Sequence, residues 1–179
     1  MKTPNANARR AAWLGVVLLT VWIAGIAAAQ QPSLYAQGQQ AYAEKRYAEA
    51  AKLFAASSTA KEQATEAQAA DALLMEGRSL ANAGDLAGAE HAVKSYLEQD
   101  LRSAPALYLL GYVLQRANKP KESLEVFTRA AAIRRPTAND LRIVALDYVL
   151  LNDYLDAIRW LERAVQEDPQ NADVWYDLG

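Results

Sequence analysis

The residues that most often carry chemistry are scarce in this chain. His91 is its only histidine, and it has no cysteine. One imidazole without a thiolate does not build a typical zinc site, and disulfides and cysteine nucleophiles are excluded. No phosphate-cradling glycine loop, dinucleotide fingerprint, nucleophile elbow or HExxH helix motif occurs. The acids are interleaved with bases, as in Glu162 beside Arg163 and Glu122 near Lys119 and Lys121. Such pairs read as solvated helix surface, each worth a few tenths of a kcal/mol at most. His91 reads as a surface residue for the same reason. No catalytic residue, cofactor or metal is expected.

The formal net charge is -2, and Lys2, Arg9 and Arg10 all lie in the first ten residues. The remaining body is therefore more acidic still. Nucleic-acid binding, which needs a basic surface, is not expected. Hydrophobic residues make up 52% of the 179, enough for a core. The alanine-rich, glycine-poor composition favours helix.

A repeat organises the chain. Leu34-Tyr35-Ala36-Gln37-Gly38, Leu73-Leu74-Met75-Glu76-Gly77, Leu107-Tyr108-Leu109-Leu110-Gly111 and Trp175-Tyr176-Asp177-Leu178-Gly179 look alike. Leu141-Arg142-Ile143-Val144-Ala145 is a fifth copy, with alanine for glycine. From Gly77 onward these phrases recur every 34 residues, and the first gap is 39. Between them, Lys45-Arg46, Gly84-Asp85, Asn118-Lys119-Pro120 and Asn152-Asp153 are helix-stopping signals. Each unit is thus expected to be two helices joined by a turn.

With Ala70, Ala104, Ala138 and Ala172 as position 1, the chain resembles the tetratricopeptide-repeat (TPR) family, whose period is 34. Position 8 holds Gly38, Gly77, Gly111, Ala145 and Gly179, and position 20 holds Ala50, Ala89, Ser123 and Ala157. Position 24 holds Phe54, Val93, Phe127 and Leu161, and a closing proline is clear at Pro169. Small residues at positions 8 and 20 facing each other would let the paired backbones approach closely. One pair cannot bury both of its faces, so pairs stack. The expected fold is all-α: a right-handed superhelical solenoid of antiparallel helix pairs. Its repeats span about 31–64, 70–103, 104–137 and 138–171, with a partial repeat at 172–179.

The resemblance implies that the first helix of each repeat lines a concave groove, to which positions 2, 5, 9, 12 and 13 contribute. The groove candidates are Tyr35, Gln39, Leu74, Arg78, Tyr108, Tyr112, Arg116 and Arg142. Tyrosine and arginine together suit a peptide: flat apolar area with hydrogen-bonding tips, and forked donors for carboxylates. The resemblance therefore implies a non-catalytic scaffold for proteins or peptides, in particular acidic or C-terminal ones. The alternative is an adaptor region of a larger exported enzyme or envelope-assembly factor that continues past Gly179. Position 9 holds Gln39, Arg78, Tyr112 and Leu146 where the chaperone-binding members of the family carry asparagine, so their carboxylate clamp is not expected.

Two places depart from the period. Thr59-Ala60-Lys61-Glu62 reads as a capping box. It predicts an early start, near Ala60, for a helix running to about Asn82, with a plain loop insertion as the alternative. At the other end, Trp175, Tyr176 and Leu178 have no following residues to cover them. Further chain, a partner or self-association through this open end is expected to do so.

The first 29 residues have the three parts of a secretory signal. Lys2, Arg9 and Arg10 precede the uncharged run from Ala11 to Ile26, and Ala27-Ala28-Ala29 offers a small-x-small cleavage site. Cleavage after Ala29 is expected. Retention as an inner-membrane anchor is the alternative, and the only membrane contact foreseen. Both place residues 30–179 outside the cytoplasm, periplasmic or secreted, because the positive flank stays inside.

Overall fold

In each repeat the chain reverses over two or three residues, and the same backbone device does it every time. Lys45, Gly84, Asn118 and Asn152 have φ of 60°, 89°, 60° and 62°. A left-handed residue after a helix lets the next amide turn back onto the last carbonyls. Arg46, Asp85, Lys119 and Asp153 donate to the carbonyls of Ala41, Leu80, Leu114 and Tyr148 at 2.9, 3.0, 2.9 and 2.9 Å. Glycine and asparagine enter this conformation at low cost, and lysine at Lys45 is the exception. Asp85 and Asp153 then cap the helices that follow, accepting from the amides of Gly88 and Asp156.

The computed structural model describes residues 32–60 and 66–179. Nine helices and no strand occur among the described residues. The first repeat is α1 (Leu34–Ala43) with α2 (Tyr47–Thr59), and the second α3 (Glu66–Ala83) with α4 (Leu86–Gln99). The third is α5 (Ala104–Arg116) with α6 (Pro120–Ala131), and the fourth α7 (Ala138–Leu150) with α8 (Tyr154–Glu167). A short α9 (Ala172–Leu178) begins a fifth. Each helix packs on its neighbours in sequence, and α3 on α5, α5 on α7 and α7 on α9 also touch. This is the all-helical solenoid of antiparallel pairs. The N-terminal segment, with its expected signal, lies outside the described residues. Among the described residues, no helix is long and apolar enough to cross a membrane.

The sequence pattern suggested that positions 8 and 20 clear space for each other. The structure shows a different main partner for position 8. A methyl group added at Gly111 would lie 2.5 Å from Cε2 of Phe127. At Gly77 it would lie 2.5 Å from Cγ2 of Val93, and at Gly38 2.9 Å from Cε1 of Phe54. The missing side chain at position 8 makes room for the bulky one at position 24. Ala145 follows the same logic, since Leu161 stands at position 24 and both are buried. Position 20 lies close by: the Ser123 hydroxyl donates to the Gly111 carbonyl at 2.9 Å. Ala50, Ala89 and Ala157 are buried at the equivalent places. Gly179 is a correction. It is exposed with φ 155° and would have nothing within 4 Å, because no second helix faces α9 among the described residues.

The capping-box expectation is also corrected. Thr59 is the last residue of α2, and its hydroxyl donates back to the carbonyls of Ala55 and Ala56. Lys61 and Glu62, the other half of that expectation, lie outside the described residues. The third helix is described from Glu66 and ends at Ala83. The capping box observed is at α7, where Thr137 and Asp140 satisfy each other's backbone amides.

Among the described residues, one carboxyl group is buried in the core. Position 10 is Val113 in the third repeat, where it packs on Ala81 and Ala89 of the second. In the fourth repeat it is Asp147, 0% exposed. Neither carboxyl oxygen has a hydrogen-bond partner among the described residues. Burial pushes its pKa up to about 7, with Ser123 pulling the other way. That hydroxyl, however, is committed to Gly111. Because the fold holds this proton more tightly than the unfolded chain does, protonation favours folding. The contribution is complete below the usual value of 3.8 and is lost as pH rises through about 7.

Two outcomes are expected from unfolding experiments. Gly111→Leu should cost about 1–3 kcal/mol or more by overpacking, while Gly111→Ala should be better tolerated with Phe127→Leu than alone. That double variant copies the Ala145–Leu161 pair. Asp147→Asn should be more stable than wild type at pH 8, by about 2–4 kcal/mol, with the gap shrinking toward pH 4.

Candidate peptide-binding surface

In the first three repeats position 5 points into the core. Tyr35 packs edge-on against Phe54 with ring centroids 5.5 Å apart, and Tyr108 lies 5.7 Å from Phe127. Leu74 shares a buried cluster with Val93. These are positions 5 and 24 of three successive repeats. Leu74 and Tyr108, expected in the groove, are therefore core residues, 9% and 5% exposed. The Tyr108 hydroxyl donates to the Arg134 carbonyl at 2.7 Å, and the Arg134 guanidinium sits 4.4 Å above its ring. Burial, with Asp140 nearby, raises the Tyr108 pKa.

The other first-helix candidates mostly tie one repeat to the next. The Tyr35 hydroxyl donates to the Asp71 carboxylate on α3. Burial first, and then this bond, push its pKa up to about 12. Asn82 on α3 donates to the Tyr42 hydroxyl on α1 at 2.8 Å. Arg116 on α5 donates to the Ala81 carbonyl at 2.8 Å and lies 5.6 Å above the Tyr112 ring. Arg142 on α7 binds Asp177 on α9 at 2.5 Å, with Asp173 at 3.7 Å. Arg142 is thus held within the chain, and it anchors the partial repeat. Sequence reasoning placed these residues on the right helices but did not foresee that they pair with the neighbouring repeat.

Position 9 supplies the open part of the surface. Gln39 and Arg78 are exposed, and Tyr112 is half-buried beneath Arg116. Arg78 makes no hydrogen bond or ion pair with the described residues. The surface therefore presents one unpaired guanidinium, Arg78, and a second, Arg116, already aimed by a carbonyl and an aromatic face. A guanidinium held this way can take a carboxylate with little further loss of side-chain freedom. His91 is exposed, as expected, and lies near half-buried Glu76, whose pKa burial raises against the pull of that imidazole. Among the described residues no group of three or more histidines and acids could hold a metal ion.

Residues 74–139 match the family model described as tetratricopeptide repeat. No curated protein matches the chain. Several solved structures share the fold. A crystal structure of MamA aligns with 79% of this chain and 80% of its own, at 18% identity and TM-score 0.65. MamA 41-end from Desulfovibrio magneticus RS-1 aligns with 79% and 77%, at 21% identity and TM-score 0.67. YrrB, described as a TPR protein with an unusual peptide-binding site, aligns with 80% and 72%, at 17% identity and TM-score 0.68.

Proposed function

We propose that this tetratricopeptide-repeat protein is a non-catalytic scaffold, acting outside the cytoplasm, that holds an acidic or C-terminal peptide of a partner protein. The observation that carries this reading is the pair of arginines on consecutive first helices. Arg78 is exposed and unpaired among the described residues, and Arg116 is fixed by the Ala81 carbonyl and the Tyr112 ring. The ties between neighbouring first helices hold this surface in one shape before any ligand arrives, which lowers the entropy cost of binding. The similarity to YrrB, described as having a peptide-binding site, supports a peptide as ligand. Support for export comes from the charge and hydropathy of the first 29 residues.

Peptides captured from envelope extracts by the chain should be acidic or should need a free C-terminus. Arg78→Ala combined with Arg116→Ala should weaken their binding by about tenfold or more, measured by calorimetry. Unchanged affinity would discard the arginine reading. The exported protein should begin at Gln30 by N-terminal sequencing. A protein retaining Met1 in the membrane fraction would mean an anchor instead.

A further inference from the structure

A cleft of about 640 Å³ opens between the second helices α6 and α8, over α7 as its floor. Its origin can be read by stepping one repeat back. Position 28 of the second repeat is Leu97, 6% exposed, and that of the fourth is Val165, packed against the core. In the third repeat the same position is Ala131. A methyl group stands where those repeats carry a branched side chain, and helix α6 ends there. The space is left between Thr128 and Ala131 on one side and Trp160 on the other, with Tyr148 also lining it. A cleft of this size, with aromatic walls, lies in the range that holds ligands.

Its charge is one-sided. Arg135 and Arg163 line the cleft, and no acid does. The Arg163 guanidinium stands 5.4 Å from the Trp160 ring centroid and makes no ion pair with the described residues. Arg135 reaches Glu167 at 2.5 Å, yet its side chain is 80% exposed. In a chain whose formal net charge is -2, two guanidiniums line this opening, while the Glu167 carboxylate that binds Arg135 and Asp156 of the adjoining hollow stand outside its lining. An apolar floor beside two such donors fits one kind of occupant: a large apolar side chain with carboxylates next to it.

We propose that this cleft is a second binding site, taking a partner-protein segment that presents a phenylalanine-sized side chain flanked by acidic residues. The site is separate from the first-helix surface and does not depend on Arg78 or Arg116. Trp160 and Tyr148 supply the apolar contact, and Arg163 supplies the main charge. Arg135 contributes when it exchanges Glu167 for the ligand. Glycine and serine segments gain nothing there, because they bury no apolar area.

The test uses the full chain and two synthetic peptides, acetyl-Gly-Asp-Phe-Asp-Gly-amide and acetyl-Gly-Lys-Phe-Lys-Gly-amide. Each is titrated while the amide signals of Thr128, Ala131 and Arg163 and the Trp160 indole signal are followed by NMR. The acidic peptide should shift these signals to saturation, and the lysine peptide should bind about tenfold or more weakly. Ala131→Leu, which restores the side chain found at Leu97, should abolish the shifts and leave thermal stability equal or higher. Arg163→Glu, kept as a second variant, should reverse the preference between the peptides. Arg78→Ala with Arg116→Ala should leave all of this unchanged, which separates this site from the first-helix surface. Absence of shifts at these four groups, equal response to both peptides, or full binding by Ala131→Leu would overturn the proposal.

Discussion

The fold depends on one steric contact, repeated along the chain: a helix with glycine or alanine at position 8 meets a ring or branched side chain at position 24. At Gly111 the fit leaves no room for even a methyl group, since Phe127 occupies that place. Buried area then accumulates on both sides of the contact. Position 5 closes over the same ring in Tyr35 and Tyr108, and position 27 lies against it in Ala130. A pair of helices held so closely presents one continuous apolar face to the next pair, and stacking follows from the need to cover it. Hydrogen bonds such as that from Ser123 to Gly111 fix the pair without adding bulk.

The surface inherits its rigidity from this packing. Because each first helix is clamped to its second, side chains at positions 9, 12 and 13 have fixed roots. They can therefore reach the neighbouring repeat at bonding distance. Asn82 meets Tyr42, Arg116 meets Ala81 and Arg142 meets Asp177 by the same offset of about one repeat. What remains unpaired stands out against that background, and Arg78 stands out most. The contrast between tied and untied polar groups leaves the Arg78 guanidinium open among the described residues of this surface.

Much of this was legible in the sequence, because the constraints behind it are local and periodic. Small residues at position 8 and helix-stopping residues at the turns recur with the repeat, and both lie where the pattern placed them. The identity of the facing residue was not legible. Two small residues suggest mutual clearance, whereas the space at Gly111 belongs to a ring sixteen residues away in sequence. Tyr108 and Leu74 were assigned to the groove because register fixes a helix face but not its depth. Phe127 and Arg134 set that depth for Tyr108, from other elements. Thr59 misled for a different reason: its side chain can serve either a helix start or a helix end, and α2 reached it first. The burial of Asp147 was not legible: position 10 is an exposed Gln40 in the first repeat, a buried Ser79 in the second and a buried Val113 in the third, so residue type does not fix depth there.

Two departures from apolar packing meet at one junction. Between the third and fourth repeats lie Ala131, where the second and fourth repeats carry Leu97 and Val165, and the buried carboxyl of Asp147, without a hydrogen-bond partner among the described residues. Among the described residues no side-chain hydrogen bond links α5 to α7, whereas such bonds link α1 to α3, α3 to α5 and α7 to α9. In a linear stack each interface contributes nearly independently, so a defect weakens its own junction and leaves the others intact. A cavity and an unpaired buried carboxylate both lower the cost of separating the two surfaces that enclose them. This junction therefore gains less from packing than a fully apolar one would. The cleft opens at the same place: the methyl of Ala131 leaves unfilled the volume that a side chain like Leu97 would take up.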